Sequence, residues 1–202
     1  MIKNILFDMG QVLIRFDREY FMNRLGVAEE DKPLLMREVF LSVEWVQMDR
    51  GTLCEEEAFR QIAPRLPERL HDAAWKLMCM WDRPILEVEG MYELVAELKA
   101  LGYGIYLLSN ASIRQHDYWP RVPASRFFDG KLVSADVHVI KPQPEIYQLC
   151  LEKFGLKAEE CFFIDDVPAN IAGAKECGIS GTVFHADADA LREDLRKAGV
   201  QI

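Results

Sequence analysis

The chain has 202 residues, and its 24 Lys and Arg against 33 Asp and Glu give a formal net charge of −9. Half of the residues are hydrophobic and 28% are charged, which is typical of a globular protein and unlike disordered or collagen-like chains. The acidic balance argues against a nucleic-acid partner, because affinity for the phosphate backbone depends on clustered Lys and Arg.

Membrane association and export are also disfavoured. No apolar run approaches the roughly 20 residues that a spanning helix needs. The short apolar stretch at the N-terminus ends at Asp8, so we expect no signal peptide. The five cysteines form no CxxC pair and suit small core residues in a reducing compartment. We expect a cytoplasmic protein without membrane contact; the sequence leaves its oligomeric state open.

Four short apolar runs, each bracketed by glycine or polar residues, predict buried parallel strands over 2–8, 104–110, 161–166 and 181–185. Amphipathic periods predict core helices over 88–98, 146–154, 168–177 and 189–198. Strands that alternate with helices indicate βαβ units. The predicted fold class is therefore α/β, a three-layer Rossmann-like arrangement around a parallel sheet.

The segment 16–83 departs from this alternation. It contains helix-forming stretches over 18–25, 31–48, 55–62 and 67–81, with breakers at Gly26, Gly51 and Pro64 and no strand pattern. We predict an α-helical insertion, called the cap below, over 16–83. The catalytic core would then comprise residues 1–15 and 84–202.

Polar residues stand where the predicted strands end. Ligands of open α/β sheets bind outside the carboxyl ends of the strands, so these side chains are expected to share one crevice. They are Asp8, Ser109, Asn110, Asp165 and Asp166, with Asn170 one helical turn later. Lys141, followed by Pro142, comes from the segment between the second and third predicted strands and is expected in the same crevice.

This set of side chains points to metal-assisted phosphoryl transfer. Three crowded carboxylates repel one another and need a cation, and oxygen ligands select Mg²⁺ over zinc. The lysine would neutralise an anionic substrate, and one carboxylate could act as a nucleophile. Any one of these residues alone would be an ordinary polar loop residue; it is their convergence at consecutive strand ends that favours a functional site.

Four segments, FDMGQVL, LLSNA, IKPQPEIY and FFIDDVPANIAGA, resemble in order and spacing the four motifs of the haloacid dehalogenase (HAD) superfamily. The cap resembles that family's C1 cap. Within the superfamily, the segments are most similar to a group of small bacterial sugar-phosphate phosphatases that includes an α-D-glucose-1-phosphate phosphatase. The resemblance implies an HAD-like fold and a Mg²⁺-dependent phosphatase that hydrolyses a small phosphorylated metabolite, with a sugar phosphate as the expected substrate.

The resemblance also implies roles for the nucleophile and the metal site. Asp8 would attack phosphorus and form an aspartyl-phosphate. Asp8, the backbone carbonyl of Gly10 and Asp166 would hold Mg²⁺. Asp165, which belongs to the same metal site, and Asn170 would orient metal-bound water or the loop itself.

The remaining implied roles concern the substrate. Ser109 Oγ and the Asn110 backbone N–H would bind phosphoryl oxygens, and Lys141 would offset the charge of Asp8 and of the phosphate. In the cap, Arg50 resembles part of a motif of the related phosphatases, and its guanidinium could hold a sugar hydroxyl or a second phosphate.

One position departs from the pattern of most phosphatases in the superfamily. They carry a second Asp two residues after the nucleophile as general acid and base, and Gly10 stands there in this chain. A missing general acid can cost about 10²–10⁴ in rate. The substrate could have a better leaving group, such as an anomeric oxygen. Another residue could supply the proton, with Asp17 or His116 as candidates. The third explanation is a reaction other than phosphate hydrolysis.

Two alternative functions remain. A 2-haloacid dehalogenase would also use a nucleophilic Asp and lack the second Asp, but it works without a metal and has no use for the pair Asp165-Asp166. A non-catalytic family member could bind a sugar phosphate without turnover; the intact Asp8, Lys141 and Asp166 weigh against it. A receiver domain is disfavoured, because its acidic pair comes near the N-terminus and it lacks a long helical insertion.

Overall fold

A computed structural model describes all 202 residues. Five parallel strands form one sheet in the order β3-β2-β1-β4-β5. Their bounds are β1 (Asn4–Phe7), β2 (Gly104–Ser109), β3 (Gly130–Val133), β4 (Cys161–Asp165) and β5 (Ser180–Val183). The central strand β1 pairs with β2 on one side and β4 on the other, so that Phe7 lies between Leu107 and Ile164. All five carboxyl ends therefore meet at one edge of the sheet.

Helices cover both faces of the sheet. The eleven α-helical segments are α1 (Arg18–Arg24), α2 (Lys32–Leu35), α3 (Val43–Asp49), α4 (Glu55–Ile62), α5 (His71–Cys79), α6 (Met91–Ala100), α7 (Gln115–Tyr118), α8 (Ser134–Val137), α9 (Pro144–Phe154), α10 (Pro168–Glu176) and α11 (Ala188–Lys197). No helix combines the length and the apolar character needed to cross a membrane.

Alternate residues of β1 enter two different hydrophobic cores, as the two-residue period of a strand requires. Ile5 and Phe7 join a cluster of 26 buried residues that includes the apolar faces of α6 and α11. Leu6 joins an opposite cluster of 11 buried residues with α9 and α10. The predicted three-layer α/β class is thereby confirmed.

The four predicted core strands are present, but the sheet has a fifth that the sequence did not reveal. β3 is a four-residue edge strand, and only Leu132 and Val133 in it are buried and apolar. Its first residue is Gly130, and Lys131 interrupts any apolar run. Such a strand is too short for its pattern to stand out. The four predicted core helices correspond to α6, α9, α10 and α11, with shifted ends.

The inserted α-helical cap has a hydrophobic core of its own, with 13 buried residues between Phe21 and Met78. The predicted helix-forming stretch over 31–48 is not continuous. It consists of α2, a π-helical turn at Met36–Phe40, and α3. Ser42 accounts for the break, because its side chain accepts a hydrogen bond from the Trp45 backbone N–H and caps α3.

The two chain segments that join the cap to the core run side by side. Ile14 and Glu87 form an antiparallel bridge. The Arg15 N–H donates to the Leu86 carbonyl at 2.6 Å, and the Val88 N–H donates to the Leu13 carbonyl at 3.1 Å. The cap is therefore attached next to the carboxyl end of β1.

Candidate active site

A buried lysine lies between two carboxylates at the carboxyl ends of β1 and β4. Lys141 Nζ donates to Asp8 Oδ1 at 2.8 Å, to Asp165 Oδ2 at 2.6 Å and to the Leu108 carbonyl at 2.9 Å. Burial would lower the pKa of Lys141, but the charges of Asp8 and Asp165 outweigh it and raise that pKa. Lys141 is therefore a permanently charged group beneath the crevice.

The backbone around Lys141 is fixed by the side chain of Asn110. The Asn110 Nδ2 donates to the Lys141 carbonyl at 3.0 Å, and the Lys141 N–H donates to Asn110 Oδ1 at 2.8 Å. This pair of hydrogen bonds connects the loop after β2 to the segment before α9. Asn110 therefore positions Lys141 through its side chain.

Asp165 is fully buried and its oxygens are already bonded. In addition to Lys141, Asp165 Oδ1 accepts from the Val167 N–H at 2.8 Å, and both oxygens accept from Asn170 Nδ2 at 3.0 Å. A carboxylate has about four acceptor sites, so little capacity remains for a metal ion. The arrangement suits a residue that orients Lys141 and the turn into α10.

Asp8, Asp165 and Asp166 form an acidic cluster, with one oxygen of each lying within 4.8 Å of the others. Burial and repulsion from Asp165 raise the pKa of Asp8 to about 6, although Lys141 opposes the shift. Burial and Asp165 also raise the pKa of Asp166. Crowded carboxylates of this kind fit a divalent cation with oxygen ligands. Asp8 and Asp166 are the members that face the open crevice.

A cavity of about 280 Å³ lies above these strand ends, between the core and the cap. Its core wall includes Asp8, Gly10, Asn110, Ser112, Arg114, Tyr118, Lys141, Asp166 and Asn170. Its cap wall includes Phe16, Arg18, Trp45, Met48, Asp49, Glu55, Met78 and Trp81. Charged groups at the base and aromatic rings on the wall suit a small ligand with one anionic end.

Two predicted substrate-binding residues do not line the cavity. Ser109 is buried at the end of β2, and its Oγ has no hydrogen-bond partner. Arg50 lies at the contact between cap and core, where its Nη2 donates to Gln143 Oε1 at 3.3 Å and its carbonyl is 3.1 Å from His138 Nδ1. Arg50 thus holds the cap against the loop before α9.

The two side chains considered as substitutes for the missing acid also lie outside the cavity lining. Asp17 caps α1 by accepting from the Tyr20 N–H at 2.9 Å. His116 Nε2 lies 2.8 Å from Asp136 Oδ1, and its Nδ1 lies 2.7 Å from Lys131 Nζ. Both are occupied by structural contacts, so the structure does not bring either residue to Asp8.

Two cap carboxylates in the cavity wall were not singled out from the sequence. Glu55 is buried, and its Oε1 accepts a 2.6 Å hydrogen bond from Ser112 Oγ. Asp49 is partly buried. Burial, Asp8 and Glu55 raise its pKa to about 7, whereas Lys141 and the Trp45 side chain oppose the shift. A signal existed, because Asp49 directly precedes the Arg50-Gly51 turn, but only the packing of the cap brings it to the strand ends.

The comparison with known protein families agrees with this geometry. Residues 2–178 match the family of haloacid dehalogenase-like hydrolases. The chain belongs to this family. It is therefore an HAD-type hydrolase, and the acidic cluster and the lysine lie within three of the four motif segments.

Among curated proteins, the chain is similar to the chloroplast flavin mononucleotide hydrolase 1 of Arabidopsis thaliana, with 28% identity over 158 residues, 78% of this chain and 63% of that protein. It is similar to the D-ribitol-5-phosphate phosphatase of Bacteroides thetaiotaomicron, with 25% identity over 188 residues, 88% of this chain and 89% of that protein. The chain spans less than two thirds of the length of several other curated relatives.

Among solved structures, an HAD family enzyme of Bacteroides thetaiotaomicron in complex with magnesium and inorganic phosphate superposes with a TM-score of 0.71 and 26% identity, over 95% of this chain and 99% of that one. The L-2-haloacid dehalogenase of Xanthobacter autotrophicus superposes with a TM-score of 0.68 over 100% of this chain and 85% of that one. Its identity is 16%, so this second likeness concerns the fold alone.

Proposed function

We propose that this HAD-type hydrolase is a Mg²⁺-dependent phosphatase of small phosphorylated metabolites, with sugar phosphates as the preferred class. The observation that carries the proposal is the bridge from Lys141 to Asp8 and Asp165, next to the acidic cluster at the base of the cavity. An ammonium and a divalent cation beside a carboxylate nucleophile are what phosphoryl transfer needs. The magnesium and phosphate bound by the structural relative support the same reading.

The metal site in this proposal consists of Asp8, Asp166 and the Gly10 backbone carbonyl. Asp8 and Asp166 both line the cavity, as does Gly10. Asp165 belongs to the acidic cluster, but its oxygens already accept hydrogen bonds from Lys141, Val167 and Asn170. When bound, Mg²⁺ neutralises negative charge on the nucleophile and the phosphoryl group, so that the two anions can approach.

The chain's own residues then perform the transfer. Lys141 holds Asp8 through Oδ1 and keeps a positive charge beside the reacting phosphoryl group. The Asp8 carboxylate attacks phosphorus, the bond from phosphorus to the leaving oxygen breaks, and an aspartyl-phosphate forms. Water then cleaves the phosphorus–oxygen bond to Asp8 and releases phosphate. Ser109 Oγ is buried below the cavity without a hydrogen-bond partner, so it would donate to a phosphoryl oxygen only if the substrate or the loop after β2 brings the two together.

The proposed substrate class follows from the cavity wall. Its volume of about 280 Å³ and its aromatic side chains, Phe16, Trp45 and Trp81, suit the apolar face of a sugar or polyol. Arg18 and Arg114 supply donors for hydroxyl or anionic groups. Two relatives whose names specify phosphate esters, the flavin mononucleotide hydrolase and the ribitol-phosphate phosphatase, support this class. In this proposal the cap, residues 16–83, selects the substrate and the core, 1–15 and 84–202, handles the phosphate.

The test is phosphate release from a panel of sugar phosphates, polyol phosphates and flavin mononucleotide, with Mg²⁺ and again with EDTA. We expect release that requires Mg²⁺ and disappears in Asp8→Asn, which keeps the shape of the side chain. Asp17→Asn is the matched control, because Asp17 lies outside the cavity lining, and it should retain full activity.

Three results would contradict the proposal. Asp8→Asn with wild-type activity would exclude Asp8 as nucleophile. A wild-type protein that releases no phosphate from any substrate but releases chloride from 2-haloacids without metal would identify a dehalogenase. A protein that binds sugar phosphates but releases neither phosphate nor chloride would be a non-catalytic family member.

A further inference from the structure

The proposed reaction lacks a proton donor in the core. The leaving oxygen of an alkyl phosphate must be protonated as its bond to phosphorus breaks, and Gly10 has no side chain to do this. The donor must therefore be another titratable group of the cavity wall. Arginines do not release protons near neutral pH, and burial raises the pKa of Tyr118 far above its usual value. Asp49 and Glu55 are the remaining carboxyl groups outside the acidic cluster.

The two carboxyl groups differ in their partners. Glu55 is buried, and Ser112 Oγ donates to its Oε1 at 2.6 Å, so it serves as a link between cap and core. Asp49 forms no salt bridge and lines the cavity at the last residue of α3. Its side chain is contacted by the Trp45 side chain, one turn earlier in the same helix.

Asp49 is also held at a fixed place relative to the strand ends. Ser134 Oγ donates to the Asp49 carbonyl and accepts from the Ala111 N–H at 3.0 Å. Ala111 follows Asn110 in the loop after β2. The cap residue is thus anchored, through one hydroxyl, to the loop that surrounds the proposed phosphate position.

We propose that Asp49, supplied by the cap, is the general acid and base that replaces the missing carboxyl group at position 10. This inference rests on the proposed phosphatase function. In the first step, the Asp49 carboxyl group would give its proton to the leaving oxygen as the Asp8–phosphorus bond forms. In the second step, the Asp49 carboxylate takes a proton from the attacking water as that bond breaks. The alcohol leaves neutral, and Asp49 ends protonated as it began.

The surroundings of Asp49 favour the protonated form that the first step needs. Burial is the largest cause that disfavours its negative charge, and repulsion by Asp8 from the core and by Glu55 from α4 adds to this effect, whereas Lys141 and Trp45 oppose it. Arg18, Arg114 and Asp166 are the other charged groups of the wall. A carboxyl group with a pKa of about 7 is close to the optimum for a general acid near neutral pH.

The test compares two leaving groups in Asp49→Asn. With 4-nitrophenyl phosphate, the nitrophenolate leaves without a proton. The variant should therefore release the first nitrophenolate per enzyme in a burst at the wild-type rate. Later turnovers should be slow, because hydrolysis of the aspartyl-phosphate lacks its base. The rate of phosphate release from a primary alkyl phosphate, such as glycerol 3-phosphate or a hexose 6-phosphate, should fall by a factor of about 10²–10⁴. Asp49→Glu should restore part of the alkyl phosphate rate, since it retains a carboxyl group.

The matched control is Asp17→Asn, which removes a carboxylate that lies outside the cavity lining. It should leave the rates on both substrates unchanged. If Asp49→Asn slows the release of both leaving groups equally, or does not slow hydrolysis of the alkyl phosphate, Asp49 is not the general acid. The proposed phosphatase function would still stand. A wild-type protein that is inert on both substrates with Mg²⁺ would overturn the proposed function, and the role of Asp49 with it.

Discussion

Ser112 and Glu55 form a 2.6 Å hydrogen bond that joins the loop after β2 to the first residue of α4. One partner belongs to the core and the other to the cap, and both line the cavity. Because Glu55 is buried, its carboxylate has lost solvent and depends on this donor. The contact therefore fixes the cap in the position that closes the cavity.

Ser112→Ala should destabilise this closed arrangement. Loss of a hydrogen bond to a buried charged group costs about 1–3 kcal/mol, and we expect the free energy of unfolding in urea to fall by that amount. KM for the best substrate should rise because the cap is held less firmly. Ser125→Ala, at a partly buried serine outside the cavity, should change neither quantity. Equal behaviour of the two variants would show that the Ser112 contact has no role in holding the cap.

Gly51→Ala tests the close approach of cap and core. A Cβ at Gly51 would overlap the Ala135 carbonyl oxygen, and the residue has φ +70°. The cap must therefore shift, and we expect kcat/KM to fall at least about tenfold, equivalent to about 1.4 kcal/mol.

Gly26→Ala is the matched control for that substitution. Gly26 has φ +67°, but a Cβ at this position would have no other atom within 4 Å. Both variants should lose about 1–2 kcal/mol of stability from the left-handed backbone, and only Gly51→Ala should lose activity. A similar loss of kcat/KM in Gly26→Ala would attribute the effect to backbone strain.

Asp49→Asn should alter the pH dependence of stability. The pKa of Asp49 is raised from 3.8 to about 7 in the folded protein, so the folded state binds its proton more tightly than the unfolded state does. This contribution to stability is complete below pH 3.8 and is lost as the pH rises through about 7. Because Asn cannot ionise, the variant does not lose this stability as the pH rises.

The comparison is made by urea unfolding in EDTA at pH 4, 6 and 8. Allowing for the partial exposure of Asp49, we expect the free energy of unfolding of Asp49→Asn to exceed that of the wild type by about 1–2 kcal/mol at pH 8 and by much less at pH 4. The same difference at every pH would mean that Asp49 ionises as freely in the folded chain as in the unfolded chain.

Arg18→Met tests whether the free guanidinium of the cavity binds substrate. Arg18 lies 5.5 Å from the Phe16 ring centre and 5.8 Å from that of Phe40. Its Nε is buried without a hydrogen-bond partner, and it forms no salt bridge. Loss of a hydrogen bond from a charged group costs about 1.5–3 kcal/mol, so KM should rise about tenfold or more while kcat changes little.

Arg24→Met provides the control for lost aromatic packing. Arg24 lies 5.9 Å from the Tyr20 ring centre and outside the cavity, so its removal should leave KM unchanged. An unchanged KM in Arg18→Met would remove Arg18 from the substrate site.

The base of the site could be predicted because it depends on local signals. Asp8 and Asp165 come at or directly after apolar strands, and parallel strands end at one edge of the sheet. The sequence therefore placed these carboxylates together without knowledge of the strand order. Lys141 follows no strand directly; its place in the crevice was expected from its position between two strands, and its role from the motif that surrounds it.

The cavity wall could not be predicted in the same way. Helical periodicity shows which face of a cap helix is apolar, but it does not show which helix end rests on the core. Asp49 and Glu55 reach the cavity through packing between distant segments, as the contact of Gly51 with Ala135 illustrates. Arg50, which the sequence suggested for the substrate, contacts Gln143 instead.

The paired segments at 13–15 and 86–88 have a consequence for how such enzymes diversify. Since the Leu13 carbonyl accepts from Val88 and the Leu86 carbonyl accepts from Arg15, the chain departs from the core and rejoins it at neighbouring points. Any segment whose two ends lie equally close can be grafted there without changing the register of the sheet. The cap could thus be exchanged as one contiguous segment while the side chains at the carboxyl ends of the strands stay in place.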